Sequence, residues 1–279
     1  MTYDRLNRSA MTEDQIRAVA PSVFAVSAHE SRSDRFRAIP TIETVRGLAK
    51  EGFYVVSANQ SKARDESRRE FTKHLLRFRK IDEERKLSVG DNFVEFALKN
   101  GNDGTCAWEL LAAVFRGTCL NGMYVKSHDL DTIKVRHTGR AIDKVIEGTY
   151  SVLEYAPQVV EAIANWQSIP LAREERVALA NSAHIARFGD KDGVVNTPIQ
   201  VEQLLVTRRH ADNQNDLWTT FNVIQENVIK GGLSAYRRDE HGNARRATTR
   251  QVTGIDQDVK LNKALWVLAS KMAELKAAA

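Results

Sequence analysis

Cysteine is nearly absent: Cys106 and Cys119 are the only two thiols in 279 residues. They stand thirteen apart in an apolar stretch, which fits neither a zinc site nor a disulfide framework. Buried, inert thiols in a reducing cytoplasm are the expectation. Five prolines and no low-complexity tract confine expected disorder to the ends and to one basic stretch. Nothing approaches the roughly 18 consecutive apolar residues of a membrane span. The N-terminal MTYDRLNRSAMTEDQ has no apolar signal core. Also missing are the G-x-x-x-x-G-K-[ST] phosphate cradle, G-x-G-x-x-G and the G-x-S-x-G elbow. The seven histidines are scattered, with no pair at i+3 or i+4. These absences predict no metal, no cofactor, no small-molecule substrate and no membrane partner.

What is present is a core and a basic bias. At 42% apolar the chain can bury one large domain or a core with an appendage. Its net charge is +5 and its pI about 9.2. Such a bias favours an anionic partner, nucleic acid ahead of a membrane surface.

In chain order, residues 1–20 read as a polar tail or a short docking helix. Pro21–Val26 reads as a first short strand, followed by a polar loop carrying Arg32, Arg35 and Arg37. TIETVRGLAKEG predicts a helix with Thr41 as a partial N-cap and Gly52 just past its end. From Phe53 the period changes. FYVVSANQSKA, REFTKHLLRFRK and DNFVEFALKN predict an antiparallel three-stranded meander, one face on helices and one face basic. After the turn at Asn100–Gly104, TCAWELLAAVFRGTCLNG has the spacing of a buried helix capped by Thr105. MYVKS and TIKVRHTG are further short strands. Helices follow over 140–166, 171–189, 199–208 with Pro198 at the first position, and 216–229. In the 216–229 helix, Trp218 and Phe221 read as core. A last helix starts near Asp256, a candidate cap. The fold class is therefore α+β: an antiparallel β-meander packed on helices (a β-β-β-α core), then a mostly helical C-terminal half. The division is a tail at 1–20, an α+β core at 21–139 and a helical region at 140–279. The helical region contains a flexible-looking basic arm at 233–250.

The chemistry-bearing residues are mainly cations. Lys134, Arg136, His137 and Arg140 form a basic strip. The arm holds Arg237, Arg238, Arg245, Arg246 and Arg250, five arginines in fourteen residues. Tyr236, between a glycine-containing turn and arginines, is a candidate stacking platform. A metal-dependent nuclease would need carboxylates such as Asp82, Glu84, Asp129 or Asp131, all of which read better as polar turns.

FRAIPTIETVRGLAKEGF, REFTKHLLRFR, VRHTGR, NDLWTTFNVIQENVIKGG and TRQVTGIDQDVKLNKALW together resemble the phage- and plasmid-borne "domain of unknown function nine-three-two" family over almost the whole chain. That resemblance implies a mobile-element origin and no particular activity. The element order over residues 40–125 is similar to the core of Rad-fifty-two-type single-strand annealing proteins, where a basic groove holds single-stranded DNA on an oligomeric ring. By position, that resemblance implies that Arg64, Arg68, Arg69, Lys73, Arg77 and Arg79 line the groove. The functional expectation is a homo-oligomeric, non-enzymatic protein that binds single-stranded DNA and promotes annealing or recombination, with the arm as a mobile clamp. The alternatives are a host-interaction or anti-defence protein and a metal-dependent nuclease.

Overall fold

A computed structural model describes residues 10–80, 92–116, 122–124, 133–137, 141–238 and 240–278. The chain forms two compact units, Met1–Val160 and Glu161–Ala279. The class is α+β, with an antiparallel sheet in the first unit and a mostly helical C-terminal half. Among the described residues no helix is long and apolar enough to cross a membrane.

In the first unit, helix α1 (Glu13–Val19) opens with a full capping box between Thr12 and Gln15. Helix α2 is Thr41–Lys50. The strands are β1 (Phe53–Gln60), β2 (His74–Lys80), β3 (Asn92–Asn100), β4 (Trp108–Arg116), β5 (Gly122–Tyr124) and β6 (Ile133–Val135). They pair in the order β1-β2-β3-β4-β5, all antiparallel, and β6 also pairs with β4. The three meander strands and the two short ones lie where the sequence predicts them. Gly52, at φ +83°, ends α2 as expected.

Three expectations in this unit are overturned. The stretch from Thr105 is not a helix: Trp108–Arg116 is the strand β4, so the core is four consecutive strands and the β-β-β-α order fails. Trp108, Leu110 and Leu111 are all buried, so the strand is apolar on both faces. A strand covered on both faces reads as a continuous apolar run, which periodicity cannot separate from a buried helix. Second, Pro21–Phe24 is a 3-10 turn and not a strand. The Gln60 side chain accepts from the Ser22 N–H at 3.0 Å, a group a sheet ladder would otherwise use. Third, Pro40 holds the N-cap position of α2, and Thr41 is its first residue.

The Thr41 hydroxyl serves a buried network instead. Ser22 Oγ lies 2.8 Å from His74 Nδ1, and His74 Nε2 lies 2.9 Å from Thr41 Oγ1. Asn100 Nδ2 donates to Thr41 Oγ1 and to the Ile39 carbonyl, both at 2.9 Å. These bonds fasten the start of α2 to the adjoining ends of β2 and β3.

The second unit is built around one enclosed helix. It holds the end of helix α3 (Ala141–Ser168), helix α4 (Arg173–Phe188), helix α5 (Leu217–Lys230), a hairpin of β7 (Ser234–Arg238) and β8 (Ala244–Thr248), and helix α6 (Ile255–Ala277). Every residue from Leu217 to Ile229 is buried. One side of α5 joins an aromatic core in which Trp218 and Phe221 pack with Trp166 and Trp266, ring centroids 4.4–6.2 Å apart. Several of the helix's buried polar residues are partnered. Gln225 donates to Asn262 at 2.8 Å, and Asn227 donates to the carbonyls of Leu204 and Val206. Glu226 pairs with Arg209 and Lys230.

Three corrections apply here too. The predicted 199–208 helix is a 3-10 segment, Val201–Leu205, whose end carbonyls Asn227 holds. The cap of α6 is Gly254, with Asp256 and Asp258 in the first turn. The basic arm, expected as a loop, contains an antiparallel hairpin.

Burial pushes the His74 imidazole down from 6.5 to about 4. Below pH 6.5 the unfolded chain takes up a proton that the native ring refuses until about pH 4. Stability present above that window is therefore lost as pH falls through it, by roughly 3 kcal/mol. Urea unfolding at pH 7.5 and pH 4.5 measures the loss. His74→Gln, which cannot titrate, flattens the dependence at some cost in stability at pH 7.5.

Candidate nucleic-acid interface

At one end of the first unit's sheet β1, β3 and β6 finish and β2 and β4 begin. Four connecting segments meet there: 25–39, 61–73, 101–107 and 136–137. Asn102, 1% exposed, joins two of them, 25–39 and 61–73, to its own turn. Its N–H donates to the Phe71 carbonyl at 2.9 Å, and its carbonyl accepts from His29 N–H at 3.0 Å. Its Oδ1 accepts from Ile39 N–H and its Nδ2 donates to the Ala25 carbonyl, each at 3.2 Å. The fourth segment is tied by Arg37 N–H to the His137 carbonyl, 2.7 Å, and by His137 Nδ1–H to the Arg37 carbonyl, 3.0 Å. Phe36 stacks on that imidazole at 4.4 Å, and burial pushes its pKa down.

A further hydrogen-bond chain joins 29–32 to 65–67. Ser31 Oγ lies 2.9 Å from His29 Nδ1, His29 Nε2 lies 3.5 Å from Ser67 Oγ, and Ser67 Oγ donates to Asp65 at 2.8 Å. Arg32 lies over Gly104: a Cβ there would stand 2.6 Å from its guanidinium, at a φ of +79° that already favours glycine. The outcome is a rim of cations. Arg35, Arg37, Arg64, Arg69 and Arg136 are exposed, and Arg32, Arg68 and Lys73 half-buried. With Lys62, the four segments hold nine cations against six carboxylates, so the excess is real but modest. Two cations have exposed carboxylate neighbours, Arg68 by Asp65 at 3.9 Å and Arg69 by Glu66 at 3.1 Å, pairs too weak to neutralise them against a polyanion.

The basic sheet face does not exist as expected. Arg77 and Arg79 both reach Glu95 on β3, at 2.6 Å each, and Glu95 is fully buried. Alternation put these arginines on one face correctly, but β3 supplies their counter-ion on that same face. Lys134 lies 3.4 Å from Glu109, which also takes Lys99 at 3.0 Å, though Lys134 itself is exposed. Arg140 lies outside the described residues, as do Asp82, Glu84, Lys86, His128, Asp129 and Asp131. Among the described residues no group of three or more His, Cys, Asp or Glu could hold a metal ion.

In the second unit the hairpin gathers the remaining candidates. Tyr236 pairs with Arg246, Arg237 with Arg245, and Arg238 with Ala244. Tyr236 is 71% exposed, and Arg237, Arg238, Arg245, Arg246 and Arg250 are exposed as well. The root is rigid. Gly232 N–H donates to Thr249 and Thr249 N–H to Leu233, at 2.9 and 2.8 Å. At Gly231, φ +63°, a Cβ would meet the Thr249 oxygen at 2.7 Å, and Gly232 has a φ of +82° that favours glycine. Sequence reasoning missed Asn102 and the part played by Arg32, Arg35 and Arg37. The NGNDG turn was the available signal, because a buried Asn inside a tight turn is the usual way to fasten neighbouring loops.

Glu95→Gln removes the buried carboxylate that Arg77 and Arg79 share and lowers stability by on the order of 3 kcal/mol. Arg64→Ala, at an exposed position, changes it by less than about 0.5 kcal/mol. Urea denaturation of both variants separates the structural arginines from the rim.

The family model described as "Domain of unknown function (DUF932)" matches residues 28–266, a span that takes in the rim, α5 and the hairpin. The chain is similar to two proteins of Escherichia coli (strain K12), UPF0380 protein YafZ and UPF0380 protein YfjQ. Each is 42% identical over 262 residues, covering 94% of this chain and 91% of the relative. No solved structure matches it. By the extent of the family match and the identity of these relatives, the chain belongs to the DUF932 family.

Proposed function

We propose that this protein binds single-stranded DNA with little sequence preference, neutralising its backbone on the rim of the first unit and the hairpin of the second. The observation that carries the reading is the hairpin register, which sets Arg237 directly opposite Arg245 on an exposed two-stranded ribbon. Arg238 and Arg246 are exposed on the same ribbon, so the hairpin gathers four guanidiniums on two short strands. A DNA strand laid along it meets several of these cations with successive phosphates. The rim supports the same reading, since two loops carrying arginines, 25–39 and 61–73, are fastened to one buried asparagine.

Annealing belongs to this proposal as its consequence: a strand held by its phosphates keeps its base edges free for a complement. Assembly of several copies along one strand, in a protein of mobile-element origin, is part of the same reading. The strand β4 removes the element-order argument for a ring-type annealing fold, so the proposal rests on the cations alone.

Fluorescence anisotropy with an oligothymidylate at a series of salt concentrations tests it. Binding falls steeply with salt, with a logarithmic slope of about −0.7 per phosphate contact. Replacing Arg237, Arg238, Arg245, Arg246 and Arg250 by alanine together lowers affinity and reduces that slope by up to about 3. No binding by the parent at 50 mM salt, or an unchanged slope in the variant, contradicts the proposal.

A further inference from the structure

The hairpin has two chemically different faces. Residues paired directly across an antiparallel ladder share a face, and neighbours along a strand alternate. The register therefore puts Ser234, Tyr236 and Arg238 of β7 with Thr248, Arg246 and Ala244 of β8 on one face. Arg237 and Arg245, with Ala235 and Ala247, take the other. The first face is anchored. Arg246 Nη2 donates to Ser234 Oγ at 3.1 Å, Ser234 Oγ lies 2.8 Å from Thr248 Oγ1, and Arg238 Nη1 donates to the Gly242 carbonyl at 2.9 Å. Two guanidiniums are thus tethered on the face of a tyrosine that is 71% exposed. The side chains of the opposite face are charged or small and include no aromatic ring.

An exposed ring with cations held on its face suits one ligand chemistry especially well: a nucleobase laid on the ring with its flanking phosphates on the arginines. Stacking of this kind needs a free π-face, which an unpaired base offers and a base inside a duplex does not. Phosphate contacts alone make no such distinction. We infer that the Tyr236–Arg238–Arg246 face is a base-stacking subsite that makes the protein prefer unpaired strands, while Arg237 and Arg245 supply affinity for either form. The inference rests on the proposed nucleic-acid binding and adds to it the source of strand discrimination.

The test measures anisotropy of the full chain with an oligothymidylate and with a duplex of equal length, at one fixed salt concentration. The proteins are the parent, Tyr236→Ala, Tyr236→Leu, Tyr236→Phe and the double variant Arg237→Ala/Arg245→Ala. A 2-aminopurine placed in the single strand reports stacking directly through quenching. Circular dichroism confirms folding, and the leucine variant keeps apolar bulk on the ribbon should alanine disturb it. The expected result is a loss of single-strand affinity on the order of tenfold in Tyr236→Ala and Tyr236→Leu. Duplex affinity stays unchanged, 2-aminopurine quenching disappears, and Tyr236→Phe behaves as the parent. The double arginine variant weakens both ligands by similar factors. If the parent binds the single strand and the alanine and leucine variants bind it equally well, or lose both ligands in parallel, the stacking subsite is overturned while the binding reading stands. Failure of the parent to bind either ligand overturns both.

Discussion

The first unit depends on a single buried side chain. Asn102 has no exposed surface to speak of, so each of its polar groups must find a partner or cost about 1–3 kcal/mol. It finds them on Ala25, His29, Ile39 and Phe71, which belong to segments far apart in sequence. The loops that carry Arg32, Arg35, Arg37, Arg64, Arg68 and Arg69 are thereby fixed by satisfaction of one asparagine and not by their own composition. Long basic side chains projecting from unfastened loops would lose much of their electrostatic advantage to the entropy of ordering them. The buried Ser22–His74–Thr41–Asn100 network fastens the same end of the sheet from beneath.

The second unit applies the same device with a helix in place of a turn. A helix buried all round must place its polar residues against partners, and α5 does so with Asn227, Gln225 and Glu226. Arg208 donates to Asn227 and to the Gly231 carbonyl, so one arginine links the enclosed helix to the glycine pair where the hairpin begins. The ribbon is exposed, but its base is held by the most buried element of its unit. That combination explains how four arginines can be displayed on a strand pair, with Arg250 just beyond it.

Legibility followed burial. The meander strands were readable because β-branched and aromatic runs stand between recognisable polar turns, and α5 because its apolar residues recur at helical spacing. The strand β4 was not, since Trp108, Leu110 and Leu111 are buried on both of its faces and leave no period to read. The hairpin failed for the opposite reason. SAYRR and ARRAT are polar on both faces, so no apolar alternation marks them, and only the His241-Gly242-Asn243 turn between two runs of equal length hinted at pairing. For the site, alternation correctly put Arg77 and Arg79 on one face but could not reveal that Glu95 faces them from the next strand. Sequence shows which way a side chain points along its own strand. What meets it there is decided by register.

The central claim, that the rim and the hairpin are the surfaces that meet a single strand, is tested most directly by photo-crosslinking the protein to a bromodeoxyuridine-substituted oligonucleotide and mapping the modified peptides by mass spectrometry. The account predicts crosslinks concentrated in residues 25–39, 61–73 and 233–250. Crosslinks confined to other surfaces, or none at low salt, would contradict it.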